Sequence, residues 1–256
     1  MSKRLYKNFD TKAVREGEDP FYYNNLDITI PIHLTTTFAR KSIDKSSKYD
    51  YTRSGNPTRD ALQQRLAKIE NGKYSLVFSS GMAAEATLLF GLLNPRDYIV
   101  AIDNLYGGTV RLFRTVFERF GIKISYVDAT KAGNVKKVIN NKTKIIWIET
   151  PTNPLMKICD IREISEISKE KDVLLVVDNS FASPYFQKPL DLGADISLHS
   201  TTKYISGHAF ALGGAVILNN EELYEKIKFY QNAIGAVSSP FNDFLTLKGI
   251  ETLDIR

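Results

Sequence analysis

Residues 144–178 read KIIWIETPTNPLMKICDIREISEISKEKDVLLVVD. Two continuous apolar runs, 144–149 and 173–178, enclose a Pro-rich turn and a helical stretch from about Ile161 to Lys171. Runs that are apolar on every position suit strands buried on both faces, the habit of parallel sheets covered by helices. The pattern continues upstream. YSLVF at 74–78 precedes a helix from Met82, YIVAI at 98–102 a helix from Thr109, and KISYV at 123–127 a helix over 131–140. The expected architecture is α/β, a mostly parallel sheet flanked by helices, with its ligand crevice at the carboxyl ends of the strands. Asp103, Glu149, Asp178 and the cluster 200–203 each close or follow an apolar run, which brings them to that edge.

Residues 1–56 lack this alternation; they are turn-rich and aromatic and read as an extended N-terminal arm, with 57–256 forming one large α/β domain. A helix is expected from Pro57 or Thr58 to Ile69, because Pro suits the first helical turn and Asn56 can cap it. The chain stops at Arg256, after a helical-looking run with no Gly or Pro stop signal.

Composition narrows the function classes. With 256 residues, 43% apolar and 25% charged, the chain is of ordinary globular type. No apolar run approaches the roughly 18–20 residues of a membrane span, and MSKRLYKNFD at 1–10 has no apolar leader segment, so a cytoplasmic protein without membrane contact is expected. The single cysteine, Cys159, allows no internal disulfide and reads as a small part-buried thiol rather than a nucleophile. A net charge of +5 is spread among acidic residues along helical stretches such as 163–172, which describes a solvated face and not a nucleic-acid stripe. His33, His199 and His208 have no spacing that completes a metal shell.

The chemistry concentrates in DISLHSTTKYISGHA, residues 195–209, where Lys203 follows the Ser200 and Thr202 hydroxyls. A lysine amine forms a Schiff base with an aldehyde, and neighbouring hydroxyls hold a phosphate, so a phosphate-bearing aldehyde such as pyridoxal phosphate fits both halves. Five further pieces fit the same ligand. Asp178, at the end of VLLVVD, is either a helix cap or a carboxylate that keeps a pyridine nitrogen protonated. SSGMAA places Gly81 and Met82 at the mouth of an apolar helix, where free backbone N–H groups attract phosphate; an ordinary capped helix has the same look. In LYGGT, Tyr106 precedes two glycines, and an aromatic ring there can stack on a planar cofactor and move a proton through its hydroxyl. Asn153, in TPTNPL, either bonds the cofactor's phenolic oxygen or shapes a turn, while YTRSGNPT contributes Tyr51 and Arg53 from the arm, a pair suited to phosphate.

In this order, YTRSGNPT, SSGMAA, LYGGT, IETPTNP, VVDNSF and DISLHSTTKYISGH resemble the Cys/Met-metabolism family of pyridoxal-phosphate enzymes, and within it the cystathionine γ-lyase and γ-synthase branch. The resemblance runs from AVREGEDP and PIHLTTTF in the arm to GAVSSP and LKGIETLDIR at the end. It implies the fold-type I transferase architecture, pyridoxal 5'-phosphate as cofactor, and a small amino-acid substrate, L-cystathionine or an O-acyl-L-homoserine. By residue, it implies Lys203 as the Schiff-base and proton-transfer lysine and Asp178 as the pyridinium partner. Ser200, Thr202, Gly81 and Met82 become the phosphate cradle, Tyr106 the stacking and acid–base ring, and Asn153 the partner of the cofactor's oxygen. Tyr51 and Arg53 are the pair that reaches a neighbouring subunit's phosphate, with Tyr51 also placed in the catalytic set, so a homodimer or homotetramer with shared sites is expected. Methionine γ-lyases of the family usually carry cysteine where this chain has Gly108, which argues against that activity and leaves it, with homoserine-ester sulfhydrylase, as an alternative. Two departures stand out. Ala209 and Phe210 replace the family's usual small residue and acid after GH. No counterpart is found for the family's substrate-carboxylate arginine, so the chain resembles the first two-thirds of a member without the small C-terminal domain. A fragment that binds cofactor but turns over poorly is the reading this second departure implies.

Overall fold

The computed structural model describes residues 6–21, 26–40, 42–44 and 47–256. Half of the segment examined for a leader, residues 1–5, lies outside them. Seven strands form one sheet: β1 (Tyr74–Phe78), β2 (Tyr98–Ile102), β3 (Lys123–Val127), β4 (Thr143–Glu149), β5 (Leu174–Asp178), β6 (Ile196–His199) and β7 (Gly214–Leu218), in the spatial order β1-β7-β6-β5-β4-β2-β3. The strands run parallel except β7, which is antiparallel to both of its neighbours. This is the mostly parallel α/β sheet expected from the sequence. β7 is a strand the apolar runs quoted above did not include.

Both faces are covered, and the alternation of side chains shows how. Along β1, Leu76 and Phe78 enter one apolar cluster and Val77 the other; along β7, Val216 and Leu218 join the first, Ala215 and Ile217 the second. The smaller cluster gathers α1 (Phe9–Arg15), α2 (Pro57–Ile69) and α9 (Pro240–Ile250). The larger receives α3 (Gly81–Leu92), α4 (Gly107–Thr115), α5 (Ala132–Val138), α6 (Ile161–Glu170) and α8 (Glu221–Ile234). A four-residue turn of helix, α7 (Ser183–Phe186), follows β5. Trp147, fully buried in β4, packs edge-on against Phe113 of α4 with centroids 5.5 Å apart, a favoured aromatic geometry.

The arm differs from the extended chain expected of it. Its residues 9–15 form α1, whose Ala13 is fully buried beside α2. Glu18 then meets Arg65 of α2 at 2.6 Å, both buried, and accepts the Ile30 N–H at 3.0 Å. A buried charge pair persists only when its remaining polar atoms are satisfied; Arg65 also donates to the carbonyls of Val14, Glu16 and Leu247. A stretch without hydrophobic periodicity is thus held down by backbone acceptors around one arginine. As the sequence indicates, Asn56 caps α2, its Oδ1 accepting the Thr58 N–H at 2.9 Å. The helical-looking end of the chain is helix only to Ile250, and turns follow. No helix among the described residues is long and apolar enough to cross a membrane.

Candidate active site

β2 connects onward to β3 on one side, whereas its other neighbour, β4, connects to β5 in the opposite direction, so the connections reverse between β2 and β4, the point where open α/β sheets form a crevice. A cavity of about 770 Å³ opens there, within the usual range for small-molecule sites. Its walls carry Ser80, Gly81, Met82, Tyr106, Asn153, Asp178, Ser200, Thr202 and Lys203. Residues up to 123 positions apart in sequence thus come together because each follows a strand that ends at this edge.

The phosphate-type groups converge first. Ser80 caps α3 by accepting the Ala83 N–H at 3.0 Å, while the first helical N–H groups, those of Gly81 and Met82, have no partner within the helix. A Cβ on Gly81 would stand 2.9 Å from the Ser200 Cβ, so only glycine lets the helix mouth close on the Ser200 turn. Ser200 is itself fixed by its N–H to the Ser180 hydroxyl at 2.6 Å. Thr202 lines the cavity too, but its hydroxyl exchanges hydrogen bonds with the Gly213 carbonyl and N–H at 3.1 and 3.0 Å. Lys203 stands in the turn after β6, exposed toward the cavity, and its ammonium has no ion-pair partner among the described residues.

Asp178 closes β5 and is 7% exposed, with the Ser180 N–H donated to its Oδ1 at 2.9 Å. Burial raises its pKa, outweighing the hydrogen bonds from Ser180 and the nearby His199, which lower it. Two more acids share the cavity. Glu149, the last residue of β4, is pushed up to about 7 by burial and then by Asp178, although it accepts the N–H groups of Tyr106 at 2.7 Å and Asn153 at 2.8 Å. Glu85, in the second turn of α3, is raised well above the usual range by burial and by Asp178; its Oε1 accepts the Thr109 hydroxyl at 3.0 Å and its Oε2 has no partner. The cavity therefore gathers three carboxyl groups whose ionisation burial disfavours on one wall and the Lys203 amine on another.

Tyr106 is 44% exposed, its ring against α4 where a Cβ on Gly108 would overlap it. Tyr51 and Arg53, by contrast, lie outside this cavity. Arg53 stacks over the Tyr51 ring at 5.3 Å and donates Nε to Asn232 of α8 at 3.2 Å. Sequence reasoning located Glu149 at a strand end without a role, and missed Glu85, although an acid within GMAAEATLLFGL is conspicuous in so apolar a helix. It also missed Arg256, which reaches the cavity wall and donates Nη1 to the Tyr204 carbonyl at 2.9 Å. Among the described residues no group of His, Cys, Asp or Glu could hold a metal ion. Cys159 is buried and its thiol is pushed up to about 12, the condition of an inert thiol.

These features match a phosphorylated, cationic-ring aldehyde. Free helix N–H groups and a serine hydroxyl suit its phosphate, a buried carboxylate suits a protonated ring nitrogen, and an unpaired amine suits its carbonyl carbon. The fold and this donor set define a fold-type I transferase of the pyridoxal-phosphate class. Comparison with known proteins narrows the class. The family described as Cys/Met metabolism PLP-dependent enzyme matches residues 10–256, and the chain belongs to it. It is 45% identical over 97% of its length to a probable cystathionine gamma-synthase from Herpetosiphon aurantiacus, and 50% identical over 90% to the cystathionine gamma-lyase of Dictyostelium discoideum. The crystal structure of metB from Corynebacterium glutamicum superposes with a TM-score of 0.95 at 45% identity over 98% of this chain. The chain spans 77%, 59% and 65% of these three proteins respectively. Pyridoxal 5'-phosphate is the cofactor the family uses.

Proposed function

We propose that this chain carries the cofactor site of a trans-sulfuration enzyme that acts on L-cystathionine or an O-acyl-L-homoserine, by γ-elimination or γ-replacement at the carbon–sulfur or carbon–oxygen bond. The observation that supports it most is a free lysine ammonium in a cavity whose other walls hold a buried strand-end carboxylate and an open helix N-terminus. Relatives named as cystathionine gamma-synthase, gamma-lyase and beta-lyase point to the same chemistry.

The residue roles follow from position. The N–H groups of Gly81 and Met82, with the Ser200 hydroxyl, hold the phosphate; Thr202 holds the Gly213 backbone in place and joins the cradle by turning its hydroxyl. Asp178 holds a proton on the ring nitrogen, and that nitrogen in turn offsets the charge that burial disfavours on Asp178. Tyr106 would cover one ring face, and Asn153, which also lines the cavity, would hold the ring oxygen. When bound, pyridoxal phosphate supplies an electron-withdrawing ring that stabilises negative charge at the substrate's α-carbon. Lys203 Nζ takes and returns the protons at the α- and β-carbons, and the Tyr106 hydroxyl or Lys203 protonates the leaving group. Tyr51 and Arg53, exposed and outside their own cavity, serve the phosphate of a neighbouring copy, so the working form is a homodimer or homotetramer in the cytoplasm.

The test is product analysis of the cofactor-loaded chain with L-cystathionine and with O-succinyl-L-homoserine plus cysteine. Release of cysteine, or formation of cystathionine, supports the reading; a loaded chain that yields neither but interconverts amino and keto acids contradicts it.

A further inference from the structure

Glu149 has a geometry that none of the roles above uses. It is 5% exposed at the end of β4, and its two carboxyl oxygens go to two different turns: Oε2 accepts the Tyr106 N–H at 2.7 Å and Oε1 accepts the Asn153 N–H at 2.8 Å. The first turn leaves β2 and opens α4; the second leaves β4 itself. Each ends on a side chain that lines the cavity. The turns touch at a second point, where the Thr152 hydroxyl donates to Asn104 Oδ1 at 2.5 Å, but that bond is part-buried and neutral.

We propose that Glu149 is a positioning residue for the cofactor, a carboxylate bridge that fixes the Tyr106 ring and the Asn153 amide relative to one another. This rests on the reading of the cavity as a pyridoxal-phosphate site. The argument is one of donor and acceptor count. Both partners are backbone N–H donors, and only an ionised carboxylate presents an acceptor to each with no hydrogen in between. Glutamine has the same shape but turns an NH₂ donor toward one of the two N–H groups, breaking one bond and setting donor against donor. Aspartate keeps both acceptors but is one methylene shorter, so it reaches one turn at the expense of the other. No other side chain does both. The groups that face Glu149 are Asp178 on β5 and Glu85 on α3, both acidic, so its ionisation is opposed by its neighbours and supported only by the two N–H groups it bridges.

Two measurements test this on the 256-residue chain. The first is amide NMR of the cofactor-free chain between pH 5 and 9: the Tyr106 and Asn153 N–H resonances are expected to shift with one shared midpoint. Independent midpoints overturn the bridge whatever the cavity binds. The second compares pyridoxal-phosphate affinity and visible circular dichroism of the bound cofactor in wild type, Glu149→Gln and Glu149→Asp, each first shown to be folded by far-ultraviolet circular dichroism. Loss of one charge-assisted bond predicts roughly tenfold weaker binding or more for Glu149→Gln. The visible dichroism, which reports ring pose, should change in sign or size, with partial recovery in Glu149→Asp. Equal affinity and dichroism in Glu149→Gln overturn the proposal, whereas a wild type that binds no pyridoxal phosphate overturns the cofactor reading and leaves the NMR result to judge the bridge.

Discussion

Burying three carboxyl groups in one cavity makes the cofactor-free chain sensitive to pH, and Glu149 gives the effect a size. Its pKa rises from 4.5 to about 7 in the folded chain. Between those values the folded chain holds a proton that the unfolded chain has released, so the contribution is full below about pH 4.5 and is lost as pH climbs through 7. A shift of roughly 2.5 units at about 1.36 kcal/mol per unit corresponds to about 3 kcal/mol. Glu85 and Asp178 are raised in the same direction, and Asp243, outside the cavity, also rises to about 7 through burial. Glu18, held low by Arg65 against the effect of its burial, has the opposite slope, but in a window below pH 4.5. Urea unfolding followed by circular dichroism at half-unit steps from pH 5 to 8 should therefore show stability falling across the range. Glu149→Gln, which cannot ionise, should reduce that fall by about 2.5 kcal/mol, the part of the effect that lies between pH 5 and 8. Stability that rises over this window, or a fall of the same size in the variant, would refute the reasoning.

Other predictions are narrower. Ala209 has φ +55, a left-handed conformation that costs an L-residue about 1 kcal/mol; Ala209→Gly should raise stability by roughly 0.5 kcal/mol after the added freedom of the unfolded chain is counted, measured by the same urea titration. Ser80→Ala removes the cap of α3 and should lower stability by about 1 kcal/mol while weakening cofactor binding, because the helix mouth proposed to receive the phosphate loosens. Arg53→Ala should leave the fold unchanged but weaken cofactor binding only under conditions where ultracentrifugation shows an oligomer; a loss equally large in the monomer would mean that Arg53 serves its own cavity.

The sheet was legible because β2, β4 and β5 are buried on both faces and so read as unbroken apolar runs. β7 meets the same criterion, since GAVIL is apolar and buried throughout, but its antiparallel pairing with β1 and β6 is a tertiary outcome that the run does not mark. Lys203, Asp178 and Ser200 were legible as residues at strand ends, where the α/β layout concentrates ligands. The role of Glu149 was not, because its partners are backbone N–H groups 43 and 4 residues away, and backbone donors leave no letter in a sequence. Glu85 escaped for a related reason: the hydroxyl that meets its carboxyl belongs to Thr109, brought up by a different helix. The α1 turn of the arm was not legible because its anchors are few and scattered, the apolar Phe9, Ala13 and Ile30 together with the Val14 and Glu16 carbonyls that meet Arg65.

The central claim is that Lys203 binds pyridoxal phosphate in the cavity at the strand ends. Its most direct test is the visible spectrum of the purified chain on adding the cofactor, with borohydride reduction and peptide mapping. The account predicts a visible band absent from Lys203→Ala and a reduced adduct on Lys203. A band that survives in Lys203→Ala, or an adduct on another lysine, would contradict it.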